Sequence, residues 1–138
     1  MDGLRFYVDE SLLGLGKTLS YARRDVTYPG HRRFRQVGLG ALDTEWIPIV
    51  AAAGLIAIIR DRHVFTRWWE SDLIVSHRLR VIHLAVKRDL TNWGYLTLLV
   101  ERWEEIEREV GRDIAGPWRL AVYKTKVELT AVEPKPHA

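Results

Sequence analysis

Leu55-Ile56-Ala57-Ile58-Ile59-Arg60-Asp61 is the stretch that decides the fold. It follows Gly54, holds five apolar residues in succession and stops at a charged pair. A half-exposed strand alternates apolar with polar; a run apolar on both faces belongs to a strand covered on both, as in a parallel sheet between helices. Upstream, Asp43-Thr44-Glu45 opens a helix, with a capping residue, an acid in the first turn and Pro48 early enough to be tolerated. Trp46, Ile49, Val50 and Ala53 form its inward stripe, and Gly54 ends it. Downstream, residues 64–77 place Val64, Trp68, Leu73 and His77 with helical character, and Arg80 to Val86 is another buried strand.

The same alternation reaches both ends. Leu4 to Val8 reads as a strand running into Asp9-Glu10, and Ser11 caps a helix carrying Leu12, Leu15, Leu19 and Ala22. Gly14 and Gly16 weaken that helix by about 1 kcal/mol each relative to alanine, so packing has to hold it. Asp25 to Tyr28 is a brief strand closed by Pro29-Gly30, and an arginine-rich loop follows as far as Leu42. From Thr91 a long amphipathic helix puts Leu96, Leu99, Val100, Trp103, Ile106 and Val110 on one face. Gly111 and Gly116-Pro117 stop it. Trp118, Leu120 and Val122 alternate as a strand, then Val127, Leu129 and Ala131 alternate in the opposite phase, so a bulge or turn falls at Lys124-Thr125-Lys126. The expected class is α/β: one domain over residues 1–132, a mainly parallel sheet of about five strands with helices on both faces, and a disordered tail at 133–138.

Composition narrows the function. With 138 residues, 47% of them hydrophobic, the chain has material for one real core. Its longest apolar run, Ile47 to Ile59, has 13 residues including Pro48 and Gly54, too short for a membrane span. The first residues lack the basic-then-apolar order of a secretory leader, so a cytoplasmic location without membrane attachment is expected. The absence of cysteine excludes disulfide scaffolds and thiolate zinc sites. Net charge is +3, and most of the excess lies where Arg23, Arg24, Arg32, Arg33 and Arg35 face only Asp25. Such a cluster suits a solvated loop, an acidic partner or a phosphate backbone.

In a parallel α/β sheet ligands bind at the edge where the strands end. Asp9 and Glu10 end the first strand and Asp61 follows the third. Asp43 and Glu45 open a helix that shares this edge only if the loop before it stays there. Each acid alone is accounted for as a cap or turn residue. Three converging carboxylates, however, repel one another and call for a cation. Mg²⁺ or Mn²⁺, hard ions that take oxygen ligands, would offset that repulsion opposite a phosphodiester. An acidic pocket with a basic rim at 23–35 is therefore the pattern of a metal-dependent nuclease.

Phe6-Tyr7-Val8-Asp9-Glu10, Asp43-Thr44-Glu45-Trp46-Ile47 and Ile58-Ile59-Arg60-Asp61-Arg62, together with Trp69-Glu70 and Gly116-Pro117, resemble the PIN-like domains of VapC-type toxins. The resemblance covers residues 4–131 and implies a Mg²⁺- or Mn²⁺-dependent endoribonuclease blocked by a cognate antitoxin protein, with a homodimer or a toxin–antitoxin hetero-oligomer as its assembly. On that basis Asp9, Asp43 and Asp61 would be the catalytic metal ligands, orienting water against the scissile phosphate. Glu10, Glu45 and Glu70 would be supporting acids, and Arg23, Arg24, Arg32, Arg33 and Arg35 would bind RNA. Ile59 and His63 depart from the related pattern and motivate an alternative, a binding module that does not cleave. A second alternative is a receiver-like phosphoacceptor domain using Asp61 and Lys124. His77 and His83 are expected in the core, and Trp46, Trp103 and Trp118 on apolar faces.

Overall fold

The computed structural model of the chain describes residues 3–60 and 68–133. Its elements are β1 (Phe6–Val8), a 3-10 turn (Glu10–Leu12), α1 (Leu13–Ala22), β2 (Val26–Thr27), α2 (Asp43–Ala52), β3 (Ile56–Ile59), α3 (Trp68–Ser76), β4 (Arg80–Leu84), α4 (Asn92–Val110), β5 (Trp118–Val122) and β6 (Val127–Ala131). They build a six-stranded sheet in the order β2-β1-β3-β4-β5-β6. The neighbours from β2 through β5 are parallel, and β6 alone runs antiparallel. The sheet is thus mainly parallel, as the apolar run of β3 requires, with one strand more than the expected five. The phase break at 124–126 is a hairpin turn, in which the Tyr123 N–H donates to the Lys126 carbonyl at 2.8 Å.

Strand alternation divides the core into two layers. Phe6 and Val8 face α1 and α4, in a cluster with Leu15, Leu19, Tyr95, Leu99 and Ile106. Tyr7 faces the other way, toward Trp46, Ile47, Val50 and Ile74 of α2 and α3. Every residue of β3 is buried, shared alternately between the layers. Gly54 leaves α2 at φ +73°, a left-handed conformation that glycine adopts without strain. Gly14 and Gly16 are not idle weaknesses in α1. A Cβ on Gly16 would stand 3.0 Å from Tyr28 Cβ and 3.1 Å from Val8 Cβ, and one on Gly14 would collide with the Asn92 side chain.

Three local expectations need correction. Ser11 is not the cap: Asp9 caps the 3-10 turn, and α1 starts only at Leu13. Val100 is 65% exposed, because the buried face of α4 is centred on Tyr95, Leu99 and Ile106. At 100° per residue Val100 points well over a quarter turn away from that centre. His77 lies exposed just beyond α3 rather than in the core, whereas His83 is buried as expected. The segment 61–67 and the tail from 134 lie outside the described residues. Among the described residues no helix is long and apolar enough to cross a membrane.

The strand order reverses between β1 and β3: the chain first moves from β1 to β2 on one side, then back to β3 on the other. A crevice opens outside the carboxyl ends of strands at such a switch point.

Candidate active site

Asp9 stands at that crevice. It is the first residue beyond β1, and its N–H donates to the Ile58 carbonyl at 3.0 Å, so the chain leaves the sheet beside the end of β3. Its extended backbone lets the carboxylate turn back over the 3-10 turn. There Oδ2 accepts from Ser11 Oγ at 2.8 Å and from the Ser11 N–H at 3.3 Å. Burial pushes the Asp9 carboxyl above its ordinary range. The Ser11 bonds act against that rise, and the nearby charge of Asp43 adds to it.

Asp43 arrives from a different element. It is the first residue of α2, at the positive end of the helix dipole. Trp46, one turn on, donates Nε1–H to Asp43 Oδ1 at 2.7 Å. The Trp46 ring in turn stacks on Tyr7 of β1, with centroids 5.4 Å apart and planes 25° from parallel. The carboxylate is therefore fixed to the central sheet through two buried rings. Burial raises the Tyr7 hydroxyl far above the ordinary tyrosine value, and Asp9, Glu10 and Asp43 push it in the same direction. Three acids from two parts of the sequence, 9–10 and 43, thus act on one buried hydroxyl.

Glu10 helps to keep the loop before α2 at this edge. Its Oε1 accepts the Gly40 N–H at 2.6 Å, joining positions 30 residues apart. Phe34 and Val37 anchor the same loop in the core, with the Phe34 ring 6.1 Å from Tyr7. Glu45 accepts the Leu42 N–H at 2.9 Å, one arm of a capping box, so it closes the first turn of α2. Two of the expected supporting acids therefore hold backbone at the site.

Asp61 and His63 lie outside the described residues, and Glu70 sits in the first turn of α3. Among the described residues there is no group of three or more His, Cys, Asp or Glu placed to hold a metal; Asp9 and Asp43 are a pair. Position 59, where the sequence offers no hydroxyl, is a buried core residue. Arg60 leaves β3 with its carbonyl held by His83. Because arginine only donates, the contact from Arg119 Nε to His83 Nδ1 at 3.0 Å makes Nδ1 an acceptor. The imidazole proton is then on Nε2, which donates to the Arg60 carbonyl at 3.1 Å.

The five arginines do not form one rim. Arg23 lies near the opposite edge of the sheet, held to Asp25 by two 2.8 Å bonds and laid over Trp103 at 4.7 Å. Arg24 is beside it in sequence, and its carbonyl receives the Arg33 guanidinium. Arg32 and Arg35 are exposed on the loop that leads to α2. The sequence also left Tyr7, Ser11 and Trp46 without a part in the site. The three-residue spacing from Asp43 to Trp46 on a helix is the one signal that could have found a member of this set.

A family model described as a PIN like domain matches residues 4–86, which include β1 through β4 and both described acids of the pair. No curated protein and no solved structure matches the chain.

Proposed function

Because the chain belongs to the PIN-like domain family, whose members are generally nucleases, we propose that it is a Mg²⁺- or Mn²⁺-dependent endoribonuclease. We read it as the cytoplasmic toxin of a type II toxin–antitoxin pair, assembled as a homodimer or with its cognate antitoxin protein. The observation that carries the nuclease reading is the meeting of Asp9 and Asp43 at the β1–β3 switch point, close enough for one charge to raise the other's carboxyl. Repelling, half-buried carboxylate oxygens are a donor set that fits a hard divalent cation. Asp9 and Asp43, completed by Asp61, would hold it. When bound, such an ion supplies Lewis acidity toward a phosphodiester and activates water.

The chain's own residues supply orientation. Ser11 fixes which oxygen of Asp9 faces the turn, Trp46 does the same for Asp43, and Glu10 keeps the two elements at one edge. Holding groups in place beforehand removes the cost of ordering them during reaction. The phosphoacceptor alternative leaves Asp43 and its Trp46 anchor without a role. The test is cleavage of total cellular RNA by the purified, antitoxin-free protein with Mn²⁺, beside EDTA, Asp9→Asn and Asp61→Asn. Discrete fragments that need the metal and both carboxylates are expected. Fragments that survive EDTA or either substitution would overturn the assignment. Intact RNA in every arm would leave the non-cleaving binding module as the better reading.

A further inference from the structure

A second polar feature adjoins the acid pair. Ser11, whose hydroxyl bonds Asp9, also borders a groove of about 220 Å³ whose walls include Arg60, Asp89, Asn92 and Tyr95. Three observations there point to an anionic occupant. Asn92 and Tyr95 of the first turn of α4 line the groove. Thr91 caps the Gly94 N–H at 3.1 Å, and the N–H of Asn92, a residue of the groove wall, has no partner among the described residues. Tyr95 is 5% exposed, yet its buried hydroxyl has no hydrogen-bond partner among the described residues. Arg60 likewise has a buried Nε with no partner among the described residues, while the far end of its guanidinium pairs with Asp89.

An orphaned hydroxyl and an orphaned guanidinium N–H are both costly in a finished interior, and both are donors. Beside a helix N-terminus they form a set that matches a phosphate oxygen. Among the described residues that line the groove, Asp89 is the one group of opposite preference. Its side chain is 78% exposed, so it neutralises Arg60 in the free protein and can swing into solvent at little cost. Gly14 is part of the same wall, and the Asn92 amide lies where its Cβ would be.

Resting on the nuclease reading, we infer that this groove is a subsite for an RNA phosphate adjacent to the one cleaved, held by Arg60, the Tyr95 hydroxyl and the Asn92 N–H. Binding of a short single-stranded RNA oligonucleotide, followed by fluorescence anisotropy in EDTA, tests it without any cleavage. Tyr95→Phe keeps the ring and removes only the hydroxyl; affinity should fall roughly 3- to 10-fold, the range of one hydrogen bond, with no loss of melting temperature. Arg60→Gln should weaken binding roughly tenfold or more and flatten the log Kd–log salt slope by about 0.7, the loss of one phosphate contact. Asp89→Asn should act in the opposite sense and tighten binding.

Unchanged affinity in Tyr95→Phe and Arg60→Gln would overturn the subsite. An effect of Arg60→Gln without one of Tyr95→Phe would also overturn it, reducing the region to diffuse positive charge. A parallel titration with inorganic phosphate separates the sources: variants that lose phosphate but bind RNA normally would make this a free-phosphate site instead. Because no arm depends on cleavage, a protein that binds through the groove but never cuts RNA would keep the groove as an RNA-phosphate site and overturn the nuclease reading. The reverse result would do the opposite.

Discussion

The two edges of the sheet treat carboxylates in opposite ways. Where β1 begins, Arg5 reaches Asp25 at 3.2 Å and grips Glu107 with two bonds of 2.9 and 3.1 Å, while Arg23 clasps Asp25 twice at 2.8 Å. Burial works to raise the Asp25 carboxyl, yet Arg23 and Arg5 hold it below its ordinary range. Where β1 ends, Asp9 and Asp43 meet only neutral donors and each other among the described residues, and the Asp9 carboxyl lies above its range. One edge is balanced from within the chain. The other has no such counter-charge among the described residues, and the proposed cation site rests on that imbalance rather than on the mere presence of acids.

The most forceful way to break this contrast is to neutralise the unbalanced edge. Asp9→Asn or Asp43→Asn should lower RNA cleavage by roughly 10²- to 10³-fold, as expected if several kcal/mol of metal-assisted stabilisation is lost. Melting in EDTA should hold steady or rise, since each substitution removes a repulsion; a marked drop would mean these acids are structural after all. Trp46→Phe is next. It keeps a ring over Tyr7 but drops the bond to Asp43, so cleavage should fall roughly tenfold with a stability loss of about 1–2 kcal/mol. Normal activity would show that Asp43 needs no such anchor.

At the balanced edge the signs reverse. Asp25→Asn should cost about 1–2 kcal/mol in denaturant unfolding, modest because Arg5 and Arg23 are each a third or more exposed, with cleavage per folded molecule unchanged. The pH dependence sharpens the comparison. The depressed carboxyl of Asp25 contributes stability that is present above its unfolded pKa and lost as pH falls through its folded value. Asp9, raised by burial, contributes a penalty above its folded value that is relieved as pH falls through it. Asp25→Asn should therefore flatten the acid limb of the stability profile, and Asp9→Asn should steepen it; the same change from both would erase the distinction. The smallest effect belongs to Glu10→Ala, which frees the Gly40 N–H on an exposed loop. It should lose about 1 kcal/mol or less and slow cleavage a few-fold, while Glu10→Gln, still an acceptor, should restore most of both.

Much of this was readable beforehand because it depends on local pattern. The unbroken apolar run of β3 demanded cover on both faces, and acids at strand ends in a parallel sheet share an edge by topology. The direction of β6 was not readable, since alternation along Val127, Leu129 and Ala131 reports a half-buried strand and not its orientation. The arginines were misgrouped for a related reason. Neighbours in sequence from Arg23 to Arg35 straddle β2, and Arg23 is drawn to Asp25 at the far edge by a contact that no periodicity encodes. The link from Glu10 to Gly40 settles where the α2 entrance lies, and at 30 residues' separation it left no mark in the sequence. Tyr95 was missed twice: the expected face of α4 did not include it, and its unsatisfied hydroxyl is visible only in three dimensions.

Thermal unfolding of the purified wild type, Asp9→Asn and Asp43→Asn, each in EDTA and in Mn²⁺, tests most directly whether the C-terminal edge is built for a cation. The wild type should melt higher in Mn²⁺, by an amount approaching about 2.7 kcal/mol of linkage at a hundredfold excess over Kd. Both variants should match or exceed the wild type in EDTA and should gain little from the metal. If Mn²⁺ shifts all three proteins equally, or none, the Asp9–Asp43 pair is not a metal site.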